Sequence, residues 1–240
     1  MDLTHFSFYR QGIITVPLGS TAHYELLLRQ EGEAGNTFPK GVYERFIKNH
    51  DYHKSYSQWL ENTLKELLYE ESDNHYTLNL DHQELEYEET FTLLENLKPY
   101  QKHLSIEITE TPVYDRAGGY FHNLNIMAFK NIASLGYKIA LDDVTQGVNS
   151  IGNLLTVLPY ISRVKFSLVH FKSCLNNALL VQLLLFLREL CITFDKEMVV
   201  EGIENKETAQ WLLKHNITIH QGYYYDLPSP IPKTDQSQVN

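Results

Sequence analysis

Positive charge is what this sequence most lacks. Twenty Lys and Arg stand against 30 Asp and Glu among 240 residues, a formal net charge of −10. No Lys/Arg-rich patch offsets that balance, which argues against a nucleic-acid polymer as partner. Cysteine is scarce as well: Cys174 and Cys191 are the only two. They supply neither a disulfide framework nor zinc-knuckle spacing, so free thiols in a reducing cytoplasm are expected. The N-terminus has no charged-then-apolar signal pattern. The most apolar run, Ala178 to Leu187, contains Gln182 and falls short of the roughly 20 residues that span a bilayer. A cytoplasmic protein with no membrane contact is expected. No Gly-rich phosphate turn follows the first strand, and no interior linker, low-complexity segment or internal repeat occurs.

What is present is an alternation of strand and helix patterns. Phe6 to Pro17 and Ala22 to Leu28 read as two strands around Gly19-Ser20, a hairpin-like start. A long helix is predicted over Val42 to Glu71, where Trp59, Leu60, Leu64, Leu67 and Leu68 recur at helical spacing. His50 and His53 lie three apart within it and are read as solvated. Further strands are predicted at Tyr76–Leu80, Leu104–Thr109, Tyr137–Leu141, Ser162–Phe166, Glu197–Val200 and Ile217–Ile219. Helices are predicted at Thr90–Leu97, Tyr120–Leu135, Asn149–Leu158, Leu175–Phe194 and Glu207–His215. From Pro228 the chain is polar and is expected to fray. Such alternation favours a parallel sheet. A closed (β/α)₈ barrel uses about 250 residues, so the expectation is an α/β, TIM-like barrel over residues 1–228 with a polar tail at 229–240.

The chain is organised around Lys138-Ile-Ala-Leu-Asp-Asp143, a short buried strand ended by two adjacent carboxylates. Like charges side by side repel and desolvate poorly, a cost that a divalent cation removes. Taken by itself, the pair also fits an exposed acidic turn capping the next helix. Other polar residues fall where strands end: Glu25, Asn79, Glu107, Lys165, Glu201 and Gln221. From Asn79 onward their spacing is about one βα unit, as expected if each reaches the C-terminal rim of one barrel. Hard oxygen ligands, one ammonium and a further carboxylate are the inventory for two-metal hydrolysis of a phosphate ester.

At these positions the sequence resembles the EAL-domain family of cyclic di-GMP phosphodiesterases. Tyr24-Glu-Leu-Leu-Leu-Arg29 is similar to the family's Y-E-A-L-L-R, with Leu26 in place of Ala. Leu78-Asn-Leu80 resembles V-N-L, Ile106-Glu-Ile-Thr-Glu110 resembles E-L-T-E, and Ala140-Leu-Asp-Asp143 resembles A-L-D-D. Val164-Lys-Phe166, Val200-Glu-Gly-Ile-Glu-Asn205 and Gln221-Gly-Tyr-Tyr224 resemble L-K-I, A-E-G-V-E-T and Q-G-Y-Y. The resemblance implies opening of cyclic di-GMP to linear pGpG with Mg²⁺ or Mn²⁺, two ions per site, and poor activity with Ca²⁺. It implies that Glu25, Asn79, Glu107, Asp142 and Asp143 bind metal, and that Lys165 and Glu201 position and activate water. Arg29 would hold a phosphate, Gln221 would line the site, and Glu110 and Glu204 would support it. A homodimer is expected from the apolar helix Leu175 to Phe194. With no sensor, receiver or cyclase segment read in the sequence, regulation is expected from metal, substrate, dimerisation or a separate protein.

Departures from the family pattern cluster near the second metal. The usual D-D-F-G-T-G-Y-S-S reads here Asp142-Asp-Val-Thr-Gln-Gly-Val-Asn-Ser150, so Thr145 stands where Gly is usual, and Ser167 replaces the Asp of K-I-D. Asp142 and Lys165 are also slightly farther apart than usual. Beside an active phosphodiesterase, a degenerate domain that binds cyclic di-GMP or a protein partner without cleavage is therefore considered. An unrelated barrel phosphodiesterase with another substrate is the third reading.

Overall fold

A computed structural model describes residues 3, 5–16, 18, 20–32, 36–114, 124–169 and 177–232. Among these residues the strands and α-helices follow one another as β1 (Phe6–Thr15), β2 (Ser20–Gln30), α1 (Lys40–Lys48), α2 (His50–Glu70), β3 (Tyr76–Leu80), α3 (Glu88–Leu97), β4 (Leu104–Ile108), α4 (Ile126–Ser134), β5 (Ile139–Leu141), α5 (Ile151–Val157), β6 (Arg163–Ser167), α6 (Asn177–Thr193), β7 (Glu197–Glu201), α7 (Lys206–Lys214), β8 (Ile219–His220) and β9 (Ser229–Pro230). The sheet runs β2-β3-β4-β5-β6-β7-β8-β1, and a β1–β2 pairing closes it into an eight-stranded barrel. The expected barrel is present.

Its first two strands form the hairpin-like start expected from the sequence. β1 runs antiparallel to β2, from Phe6 opposite Gln30 to Thr15 opposite Ser20, with a register shift at Ile13/Ile14. It is also antiparallel to β8, with Ile14 opposite His220. The other neighbours, from β2 to β8, are parallel. The connection from β1 to β2 is only four residues long, which permits only antiparallel return, whereas parallel neighbours need helical crossovers. The segment read as fraying from Pro228 is partly ordered: Ser229 and Pro230 lie opposite Arg10 and Tyr9 of β1. Residues 233–240 lie outside the described residues.

β4 and β6 are buried along their whole length. They are covered on one face by the barrel interior and on the other by helices, which is why β4 reads as alternating yet is buried throughout. The predicted helix 42–71 is two. Asn49 takes extended angles (φ −118°, ψ 120°), and its side chain accepts a hydrogen bond from Tyr52 N, starting α2 afresh. α2 buries Leu60, Leu64, Leu67 and Leu68 on one face, and Trp59 packs on Phe6 and Phe8. His53 is not solvated: it is buried in contact with Ser57 and Thr90, while exposed His50 meets Glu89. α4 begins at the Asn125 cap, inside the predicted range, and residues 120–123 of that range lie outside the described ones. The Asn149–Leu158 helix starts later, at the Ser150 cap.

α6 buries Leu184, Leu187 and Leu190 yet leaves Leu179, Phe186 and Ile192 about half exposed. Of the range predicted for it, residues 175 and 176 are not described. Cys191 is a free, buried thiol pushed up to about 12 by burial, and Cys174 lies outside the described residues. No helix among the described residues is long and apolar enough to cross a membrane.

Candidate active site

Strands β3 to β8 each deliver a polar side chain near, at or just past their C-terminal ends and β2 delivers Glu25 from its middle, because every second residue points into the barrel. In register, Asn79 of β3 sits beside Glu107 of β4, and Ser167 of β6 beside Glu201 of β7. At the centre is the Lys165 ammonium, wholly buried. It contacts Glu25 Oε2 at 3.2 Å and Asp142 Oδ1 at 3.5 Å, and it also pairs with Glu107 and Glu201. Gln221 Nε2 donates to Glu25 Oε2 at 2.6 Å, and Asn79 Nδ2 donates to Glu25 Oε1 at 3.0 Å. Seven of the predicted residues therefore converge on one point.

One cation among four carboxylates leaves an acidic surplus. Burial pushes Glu107 well above the usual carboxylate range, against Lys165 and with help from the charges of Asp142, Glu25 and Glu201. Glu201 is pushed up to about 8 by burial, with Asp142 and Glu25 adding to the rise against Lys165. Burial likewise holds Asp142 above its ordinary value. In Glu25 burial is outweighed by Lys165, Gln221 and Asn79, which leave it lowered. The same carboxylates outweigh desolvation at Lys165 and raise it far up.

The residues present fit hard divalent cations. Oxygen atoms of Glu25, Glu107 and Glu201 lie within 4.8 Å of one another, as do those of Glu110, Asp142 and Asp143. Buried Glu107 Oε2 has no hydrogen-bond partner among the described residues. Carboxylate oxygens so grouped, with one left unsatisfied, suit Mg²⁺, Mn²⁺ or Ca²⁺ rather than softer metals.

The turn after β5 carries the second group. Asp143 and Thr145 both adopt left-handed angles, φ 42° and 90°, which cost a non-glycine residue of order 1–2 kcal/mol each. Gly147 also has positive φ, and a Cβ there would stand 2.2 Å from the Glu110 carbonyl oxygen, so no other residue fits. Val144 N donates to Lys165 O and Val148 N to Glu110 O, which tie the turn to β6 and to the segment after β4.

Two cavities flank the cluster. One, of about 290 Å³, is lined by Glu25, Arg29, Asn79 and Asp81 with Phe38 and Tyr43. The other, of about 310 Å³, is lined by Gln11, Glu201, Glu204, Gln221 and Tyr223. Arg29 thus lies beside the site, its Nη1 donating to Leu28 O. Glu204 is exposed on the far side. Gln11 was not foreseen. It is buried, accepts from Gln221 Nε2 at 3.2 Å and donates to Asp226 O. Gln11 follows Arg10 in a strand of mixed polarity, so its position carried no distinct signal. Asp81 was also missed: it is buried and pushed up to about 7 by burial and the charge of Glu84.

The EAL domain family matches residues 1–228. A cyclic di-GMP phosphodiesterase of Borreliella burgdorferi, PdeA, is 28% identical over 142 residues, covering 58% of this chain and 20% of its own length. A standalone EAL protein from Vibrio cholerae, solved with cyclic di-GMP bound, superposes with a TM-score of 0.73 at 22% identity, covering 93% of this chain and 92% of that one. The EAL-domain protein YkuI of Bacillus subtilis, solved with cyclic di-GMP and calcium, gives a TM-score of 0.75 at 19% identity, covering 97% and 58%.

Proposed function

This chain belongs to the EAL domain family, and from that premise we propose that it hydrolyses cyclic di-GMP to linear pGpG. The chain spans a fifth or less of the curated relatives it matches, so the reading concerns this domain. The observation that carries it is the single Lys165 ammonium held among Glu25, Glu107, Asp142 and Glu201, with the Glu107 Oε2 atom unsatisfied.

Glu25, Asn79, Glu107, Asp142 and Asp143 would hold two Mg²⁺ or Mn²⁺ ions, with Ca²⁺ occupying the same oxygens but supporting turnover poorly. Such ions lower the pKa of water and offset charge that develops on a phosphoryl group. Glu201 accepts the proton of the attacking water at its carboxylate, and Lys165 orients that water by donating from Nζ. Arg29 grips a phosphate of the substrate through its planar fork. Gln221 keeps Glu25 in place, and Glu110 and Glu204 brace the surrounding loops. In this reading the protein acts in the cytoplasm as a homodimer, with the exposed face of α6 as the joining surface.

Chromatography of cyclic di-GMP incubated with purified protein and Mn²⁺ tests the proposal, with pGpG as the expected product. A second reading rests on the turn after β5, where Thr145 is forced to φ 90°. There the domain binds cyclic di-GMP without cleaving it. Binding with Ca²⁺ but no pGpG with Mn²⁺ would select that reading, and binding of neither metal nor cyclic di-GMP would defeat both.

A further inference from the structure

We propose that Asn149 is a positioning residue that sets the metal affinity of the site by tying together the ends of the three ligand-bearing strands β3, β4 and β5. The proposal rests on the metal-dependent reading above and adds to it a residue with no contact to substrate or metal.

Asn149 is fully buried. Its Nδ2 donates to Ile108 O at 3.0 Å, next to Glu107, and to Asp142 O at 2.6 Å. Its Oδ1 lies 3.2 Å from His82 Nε2, three residues beyond Asn79. Two carbonyls can face only the amide nitrogen, so the amide orientation is fixed by chemistry, and the imidazole must then donate from Nε2. One planar amide thus links the ends of the strands that carry Asn79, Glu107 and Asp142. Its backbone carbonyl in turn accepts from Thr145 N at 2.8 Å. The turn that presents Asp142 and Asp143 in left-handed geometry is therefore closed on Asn149 from inside and anchored by it from outside.

No shorter or apolar side chain satisfies two carbonyls and an imidazole at once. Without the amide, the turn is free to relax its two left-handed residues, and the oxygens of Asp142 and Asp143 drift from those of Glu110 and Glu107. Groups that orient ligands in this way change metal affinity by roughly 10–100-fold when removed.

Calorimetric titration of the full chain with Mn²⁺ alone, paired with thermal melting of each sample, tests this. Asn149→Ala should still melt cooperatively yet bind Mn²⁺ about tenfold or more weakly. His82→Leu should weaken binding in the same direction, and His82→Gln, which keeps a donor for Asn149 Oδ1, should restore it. Leu64→Ala, a core change in α2 remote from the turn, should lower the melting temperature and leave the affinity unmoved. A folded Asn149→Ala with wild-type affinity overturns the proposal. Should that variant fail to fold, the histidine pair decides: weaker binding by His82→Leu than by His82→Gln supports the clamp, and equal binding overturns it. Wild-type protein that takes up no Mn²⁺ defeats the metal reading itself, a result distinct from a clamp that fails in a metal-binding protein.

Discussion

Lys165 and Glu107 form an ion pair whose side chains are 1% and 0% exposed. Removing water from two charges costs several kcal/mol for each, and a pair so placed persists only where geometry or function demands it. Here the ammonium is the internal counter-charge of an acidic cage. Lys165→Met should therefore destabilise the metal-free protein by about 3 kcal/mol, and Mn²⁺ should recover much of the loss. Its kcat should fall by roughly 10²-fold if the ammonium acts on water. Melting curves with and without Mn²⁺, beside steady-state kinetics, check both.

Metal binding should release protons. Glu201 is raised to about 8, and Glu107 and Asp142 are raised as well. Near pH 7 the metal-free cage therefore carries protons that a cation must displace. Affinity for Mn²⁺ should rise with pH up to about 8. Titrations in buffers of different ionisation heat at pH 7 should give enthalpies that differ by the number of protons released multiplied by the difference in ionisation heat, and identical enthalpies would refute this.

The strained turn offers a gain-of-function test. Thr145→Gly removes a left-handed residue with a side chain, and Ser167→Asp adds a carboxylate on β6 beside Glu201. Together they should raise turnover several-fold if the domain is an enzyme. In a pure binder the double variant would still yield no pGpG while binding cyclic di-GMP.

At the opposite end of the barrel, His23 and His75 lie with ring centroids 4.3 Å apart, and Arg163 donates to His23 Nδ1 at 2.7 Å. Burial, with Arg163 and Lys138 nearby, lowers His23 to about 3. His75 is lowered to about 4, again chiefly by burial. As the pH falls below about 6.5, the unfolded chain gains protons that the folded one refuses. The stability these neutral rings contribute is present above pH 6.5 and is lost as the pH approaches 4. The melting temperature of His75→Gln should consequently fall less between pH 7 and pH 5 than that of wild type.

Much of this arrangement was legible in the sequence because most of these residues sit at or near the end of a short apolar run. The run fixes the strand, and the period of two fixes which residue faces inward. Glu25, Asn79, Glu107, Asp142 and Lys165 were found in that way. What escaped depends on contacts between distant segments. The break at Asn49 interrupts no apolar stripe, so helical spacing carries across it. The burial of His53 follows from packing against Thr90 in α3, which spacing within α2 cannot reveal. Gln11 lies in a strand whose direction is opposite to the rest, and only the closed ring sets it against Gln221.

That closure has a kinetic consequence. The hydrogen bond between Gln221 and Gln11 joins residues 210 apart in sequence, and β1 is stitched to β8 as well as to β2. During vectorial synthesis the earliest strand must wait, with one edge unpaired, for the last to leave the ribosome. Such long-range pairing is slow and leaves an exposed edge prone to wrong partners. The hairpin β1–β2 can form at once, yet the neighbour that steadies Glu25 through Gln221 arrives only with the final turn of the ring.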